Sequence, residues 1–436
     1  MSATELPPGP RRPALAQTLQ WVFDPERFMR KSRERYGSTF TARLGPSADV
    51  IFLCEPEDIK TVFRGTPEET NMGDINGLFR RVLGSNSLLV IDGDEHLRQR
   101  RLLLPPFHGE RIAEHYGAML EAAEEDVAGW EEGQTLTLQP HMQAMTLNVI
   151  LAAVFGLGPG ERRDRFRVLL ARLLELNTTL ATTLPQLRIE LGGRSPWGKL
   201  MRCTAEVDEL LYDEITRRRA QRDRTSGDVL SLLLDAQDAD DGQAMTDREL
   251  RDQLLTMLVA GHETTATALA WAFERLLRNP AVLVRVTGEL AQGSTTYLDA
   301  TIKEVLRLRP VVPITARKIT VPFEVGGRTY EPGTVLMPCI YLLHRHPDIY
   351  ERPEEFLPER FIEHSPPPYS WIPFGGGVRR CLGSGFALAE MRAVMQTVLT
   401  RVQLAPEREA SERVVRRAFT ISPREGARVV VQQRLG

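Results

Sequence analysis

The chain has 436 residues, 42% of them apolar and 26% charged, with a formal net charge of −3. That balance supplies ample material for a core and lacks the basic excess of a nucleic-acid binder. Its four cysteines, Cys54, Cys203, Cys339 and Cys381, share no CxxC spacing, which argues against a zinc site and a disulfide framework and fits a reducing cytoplasm.

Length alone suggests roughly two to three ordinary domains. No Gly/Ser or Pro-rich linker, charge block or internal repeat divides the chain, so a single unit over 1–436 is expected. The start, MSATELPPGPRRP, holds no apolar run long enough for a signal peptide or membrane anchor. Helix is expected over 25–36, then a hairpin of 39–44 and 49–53 turning at Gly45-Pro46, then helix over 56–63. Residues 71–93, mixed and broken by glycine, read as a functional loop. Helical patterns follow over 110–130, 143–155, 163–176 and 196–219. Thr246 and Glu249 form a Thr-x-x-Glu capping signal, after which an unbroken helical pattern runs to Asn279 ahead of Pro280. At ~1.5 Å per residue this helix would span about 50 Å. Short strands are expected over 319–325, 334–338, 414–421 and 428–432, and a last helix over 384–402. The sum is a helix-rich α+β architecture with small sheets and a long central helix.

The chemistry concentrates in Trp371-Ile372-Pro373-Phe374-Gly375-Gly376-Gly377-Val378-Arg379-Arg380-Cys381-Leu382-Gly383, one cysteine in a glycine-rich loop that leads into a helix. Glycines bring backbone N–H groups near the sulfur, and the helix aims its positive dipole end at it. Both effects lower a thiol pKa and favour the thiolate, a metal ligand. Gly383 and Gly385 leave the neighbouring surface open to a flat macrocycle. Phe374, Gly377, Arg379, Cys381 and Gly383 resemble the fixed positions of the haem-ligand loop of the cytochrome P-450 family, and every one matches. The resemblance implies that family's fold from about residue 7 to the end, haem b bound through Cys381, and cofactor contacts at Phe374, Gly375, Arg379 and Gly383. The family's eukaryotic members carry a membrane anchor before a similar Pro-rich hinge. Here the hinge-like segment stands without it, so a soluble, cytoplasmic, prokaryotic-type protein is expected.

Ala260-Gly261-His262-Glu263-Thr264-Thr265 lies within the long helix, where glycine costs ~1 kcal/mol relative to alanine. A threonine hydroxyl there can bond the carbonyl four residues back, that of Ala260 for Thr264, and bend the helix. Read alone, Glu263 could be a solvated face and the threonines packing. The hexamer resembles the family's oxygen-activation sequence, which implies proton relay by Glu263 and Thr264 and cofactor contact by Ala260 and Gly261. His262 occupies the variable position. Glu304 and Arg307, three apart, would alone be a surface pair contributing ~0.2–0.5 kcal/mol. They resemble the family's Glu-x-x-Arg pair, with Arg360 of Pro358-Glu359-Arg360-Phe361 as the third member of a buried structural network. His96 and Arg100, four apart, project from one helical face. The resemblance assigns both, with Arg317 and Arg379, to the haem propionates. His344 and His346, beside Pro347, read as a turn.

The family resemblance implies a monooxygenase that inserts one atom of O2 into an apolar substrate by hydroxylation or epoxidation, with fatty acids and terpenoid-like molecules as candidate substrates. A haem-thiolate isomerase or peroxygenase, or a haem sensor, would not need the Glu263–Thr264 pair. With no flavin or iron–sulfur segment in the chain, electrons are expected from a separate ferredoxin or flavodoxin and its NAD(P)H reductase, and the protein is expected to act as a monomer. Segments 71–92, 176–195, 255–264, 311–316 and 418–422 are the expected pocket lining, with Arg80, Arg81 and Arg188 as candidate carboxylate anchors.

Overall fold

The centre of the molecule is set by the plainest start signal in the sequence. In a computed structural model describing residues 6–45, 49–107, 109–177, 194–221, 227–240, 242–417 and 419–435, the Glu249 N–H donates to the Thr246 hydroxyl at 3.2 Å. The Thr246 N–H donates back to the Glu249 carboxylate at 2.8 Å. This closed capping box satisfies two donors at the first turn. The helix it opens runs Asp247–Leu277, 31 residues without interruption. It stops two residues before the expected end because Asn279, at φ −126° and ψ 75°, precedes Pro280, and a residue before proline is kept out of the helical region. From Thr265 to Glu274 every side chain is buried. A helix covered on all sides lies at the core of a large protein, and the alanines at 266, 268, 270 and 272 let its neighbours approach closely.

Those neighbours are the helices Leu138–Phe155, Pro196–Ala220, Thr296–Leu308 and Ser384–Arg401. The first of them begins five residues before its expected start. Pro140 sits in its opening turn, where a missing N–H costs nothing. The helices Pro25–Tyr36, Glu110–Val127 and Glu161–Asn177 lie within three residues of their expected bounds. Ala14–Phe23 and Pro280–Ala291 are additional. Segment 71–93 is more ordered than a loop, holding the helical turns Gly73–Asn76, Gly77–Phe79 and Arg80–Leu83.

A five-stranded sheet orders Thr39–Arg43, Asp49–Leu53, Val335–Pro338, Arg317–Ile319 and Thr70–Asn71 side by side. Asp49–Leu53 and Val335–Pro338 run parallel and the other pairs antiparallel. The single strand expected over 319–325 is two strands, Arg317–Ile319 and Phe323–Val325, separated by a break containing Pro322, which has no N–H for a ladder. The strand expected over 414–421 is a hairpin of Val414–Arg417 and Thr420–Pro423. Trp271 Nε1 donates to the Ile421 carbonyl at 3.1 Å and fixes that hairpin to the central helix. Among the described residues no helix is long and apolar enough to cross a membrane.

Below this frame lies a charge with no access to water. Arg307 and Glu304 are both 0% exposed and paired at 2.7 and 2.8 Å. Arg307 also donates to the carbonyls of His344, Pro353 and Glu355 at 2.7, 2.7 and 3.0 Å, and Arg360 reaches Glu304 at 3.2 Å. The surface-pair reading of Glu304 and Arg307 therefore gives way to the buried network. Removing one member leaves an uncompensated buried charge, so Arg307→Ala is expected to cost ~3–5 kcal/mol. Chemical denaturation measures it, and a loss comparable to that of an exposed ion pair would refute this account.

Candidate active site around Cys381

Backbone constraints shape the cysteine loop before any side chain does. The Gly375 N–H donates to the Ile372 carbonyl at 2.9 Å and the Cys381 N–H to the Phe374 carbonyl at 3.0 Å, closing the loop on itself. Gly377 has φ +65°, and a Cβ there would lie 2.0 Å from the Phe63 carbonyl oxygen, so only glycine lets the loop pass helix Pro56–Arg64. At Gly383, by contrast, a Cβ would meet no atom within 4 Å. Helix Ser384–Arg401 starts there, with Gly383 as its N-cap.

Of the four thiols, Cys54, Cys203 and Cys339 are buried and Cys381 is exposed. Protein nonetheless surrounds Cys381 closely enough that desolvation dominates its ionisation, so the sulfur borders an interior space and not the outer surface. Desolvation pushes the thiol up, while the Gly383 backbone, Arg100 and Arg380 pull it down. The expected lowering is thus corrected: the glycine loop and nearby arginines favour the thiolate, but burial outweighs them until a cation occupies the space.

Positive charge gathers near that space without matching anions. Arg317 is deeply buried, held down to about 10 by desolvation, and among the described residues donates only to the Ala316 carbonyl at 2.8 Å, Thr315 Oγ1 at 3.3 Å and Met72 Sδ at 3.4 Å. His96, on helix Gly93–Leu103, is 3% exposed and driven to about 3 by burial and by Arg379, Arg100 and Arg317. It is therefore neutral, able to donate from one ring nitrogen. Arg100 has no ion-pair or hydrogen-bond partner among the described residues, and the opposite charge it feels most is Cys381. Arg379 differs. Asp92 and the carbonyls of Leu88 and Ile91 take its N–H groups, so Asp92 already occupies it. Two arginines without a carboxylate partner among the described residues and a neutral histidine near a thiol, with bare space at Gly383, fit a flat dianionic group such as haem b with its two propionates.

Across the central helix, Thr264 Oγ1 donates to the Ala260 carbonyl at 2.6 Å, the bond expected from the sequence, yet the helix continues unbroken. Having given its proton away, that oxygen presents its lone pairs as acceptors. Glu263 accepts from Gln143 Nε2 at 2.7 Å; burial raises its pKa, and Gln143 and Arg417 oppose the rise. Gly261 is a packing glycine, since a Cβ there would meet Ile150 Cδ1 at 2.7 Å, while Ala260 keeps partial exposure. His262 is buried, neutral at about 4, and bonds the Gln143 carbonyl at 2.9 Å. Phe374 packs edge-on against Trp371 at 6.2 Å. Phe79 and Phe419 meet edge-on at 6.0 Å. Arg80 and Arg81 are exposed, and Arg188 with most of 176–195 lies outside the described residues.

Three residues escaped the sequence reading. Gln143 offered no signal. Glu390 did: one acid among apolar neighbours on helix Ser384–Arg401. It is buried and pushed up to about 8 by desolvation, with Thr265 pulling the other way, and its Oε1 is unpartnered. His344, dismissed as part of a turn, is fully buried; its Nε2 accepts the Ile372 N–H at 2.9 Å.

The cytochrome P450 family model matches residues 7–427. A Mycobacterium tuberculosis protein named cytochrome P450 135B1 is 41% identical over 440 residues, covering 99% of this chain and 92% of its own length. The Mycobacterium bovis cytochrome P450 138 is 39% identical, covering 98% and 97%. Among solved structures, retinoic acid-bound cyanobacterial CYP120A1 superposes with a TM-score of 0.85 at 26% identity, over 99% of this chain and 100% of that one. The P450DA heme domain gives 0.85 at 25% identity, over 98% of each. With the sequence, the fold and the thiol-bearing loop in agreement, the chain belongs to the cytochrome P450 family, haem b-carrying monooxygenases that take electrons from a redox partner and bind O2 with a small substrate.

Proposed function

We propose that this chain hydroxylates or epoxidises an apolar small molecule, with haem b ligated by Cys381 and its propionates held by His96, Arg100 and Arg317. The observation that carries the reading is the contrast among the thiols: one of four meets open space, and unmatched cations lie near it. Haem, when bound, supplies the oxygen chemistry; the chain supplies position, charge and protons. Arg100 and the Gly383 backbone favour the sulfur anion but are outweighed by desolvation, so the bound iron would supply the rest. Gly375 and Gly383 keep the loop face low, while Phe374 anchors it to the core. Thr264 Oγ1 accepts a proton donor, with its own proton parked on the Ala260 carbonyl, and Glu263 beside it exchanges protons with ordered water.

Apolar side chains at the expected pocket positions, Leu88, Leu89, Val259, Val311 and Phe419, suit a fatty-acid or terpenoid-like substrate. The retinoic acid bound to the cyanobacterial structural relative is of the second kind. Electrons would come from a separate ferredoxin or flavodoxin in the cytoplasm, serving a monomer. Arg380, exposed beside the cysteine loop with no ion-pair partner among the described residues, suits docking of an acidic protein.

Three measurements test this reading. Cys381→Ser is expected to abolish the strongly red-shifted Soret band of the reduced carbonyl complex, whereas serine at Cys54, Cys203 or Cys339 leaves it; the reverse pattern would overturn the ligand assignment. Thr264→Ala should keep helix and haem but divert electrons to hydrogen peroxide or water, since acid assistance is typically worth ~10²–10⁴-fold. The product-to-NAD(P)H ratio reads this, and an unchanged ratio moves the relay to Thr265 and Glu390. Reduction by the partner should slow as salt rises, because charges at the docking face are screened over ~8 Å at physiological strength. A flat salt profile excludes electrostatic docking.

A further inference from the structure

One residue grips two consecutive positions of the central helix from outside it. Gln143, in the second turn of helix Leu138–Phe155, donates through Nε2 to the Glu263 carboxylate at 2.7 Å, and its backbone carbonyl accepts from His262 Nε2 at 2.9 Å. Thr146, one turn on, donates chiefly to the Met142 carbonyl of its own helix at 2.8 Å, with the His262 carbonyl of the central helix within 3.3 Å of the same hydroxyl. The two helices are thus tied where the relay residues sit, and the Glu263 side chain has no hydrogen bond other than that to Gln143 among the described residues.

The chemistry of that contact matters. Lysine or arginine in the same place would hold Glu263 permanently ionised. A primary amide differs, because it carries two N–H donors and one C=O acceptor. Turned one way it donates to a carboxylate; turned about its last bond it accepts from a carboxylic acid. We propose that Gln143 is a positioning residue for the relay acid: its amide holds Glu263 beside Thr264, more tightly as the carboxylate to which it donates and, by reversing, more weakly as the acid from which it accepts. This rests on the reading of Glu263 as the relay acid, but the hold itself can be tested without turnover.

The groups facing Glu263 set the direction of the effect. Arg417, on strand Val414–Arg417, favours the carboxylate from one side. His262 is neutral, and Glu390, on helix Ser384–Arg401, acts on Thr265 two positions further along and not on Glu263 itself. Burial raises the proton affinity of Glu263, and the Gln143 amide counters it. Losing the donor should therefore raise the titration midpoint, and a cation in its place should lower it.

The test is difference infrared spectroscopy of the haem-loaded protein across pH, with Glu263→Gln identifying the Glu263 carboxyl band. Gln143→Met keeps the side-chain length and removes the donor; Gln143→Lys substitutes a cation. Neither touches the backbone carbonyl that holds His262, so unfolding midpoint and haem absorbance should match the parent. The midpoint is expected to move up by about one pH unit in Gln143→Met, a tenfold change in proton affinity, and down in Gln143→Lys. A midpoint that stays put in both variants, or moves the same way in both, overturns the proposal while leaving Glu263 and Thr264 in their roles. A midpoint that moves oppositely in the two, with the pH profile of product per NAD(P)H left unmoved, upholds the Gln143 hold and removes Glu263 from the relay.

Discussion

Everything around Cys381 depends on the full charge of Arg307 being kept in a place water does not reach. Its guanidinium satisfies Glu304 and three carbonyls, one of them that of His344. The His344 ring returns a bond from Nδ1 to the Arg307 carbonyl at 3.2 Å and accepts the Ile372 N–H with its other nitrogen. That division of labour needs a neutral ring, and burial beside Arg307 holds His344 at about 3. Trp371 adds a second fastening, its indole N–H on the Lys303 carbonyl at 3.2 Å. The cysteine loop thus hangs from helix Thr296–Leu308 at its first two residues, directly through Trp371 and by way of the His344 ring through Ile372. Its floor is electrostatic in origin although no charge of that network touches the thiol.

Two kinds of buried charge are distinguished by how they are matched. The structural ones are closed within the chain: Arg218 with Glu214 and Asp228, Arg251 with Asp208 and Asp252, Arg307 with Glu304. Those near Cys381 are not closed. Among the described residues Arg317 and Arg100 lack carboxylate partners at ion-pair distance, and His96 is stripped of its charge by burial and by the arginines beside it. An unmatched buried cation is costly, so a fold that keeps several together is completed by an anion from outside. The raised thiol of Cys381 is the complementary deficit, a group that needs a cation.

Local signals in the sequence were reliable where the physics is local. The capping box at Thr246, the glycines at 375 and 377 and the hydroxyl-to-carbonyl bond of Thr264 all follow from residues within four positions. Boundaries slipped where proline acts at a distance of one or two residues, at Pro140, Pro280 and Pro322. The thiol pKa was misjudged because the loop's donors are visible in sequence whereas the burial that outweighs them is not. Gln143 lies 120 residues from its carboxylate, and His344 lies 28 from the amide it receives. No periodicity or motif encodes such pairs; they exist only once the helices have packed.

The residues proposed for the relay show why the partners of a proton-carrying group must be weak. Glu263 is met by an amide and Thr264 by a backbone carbonyl. Neither of these partners is a fixed cation, and the nearest one, Arg417, contributes least to the Glu263 shift. The Glu304 carboxylate, gripped by two arginines and a backbone N–H, is the opposite arrangement in the same fold. Every bond it makes is to a group fixed within the fold, so its role is structural. An acid held by neutral groups pays less to change its state, and only that kind can take up and release a proton at the pH where the chain works.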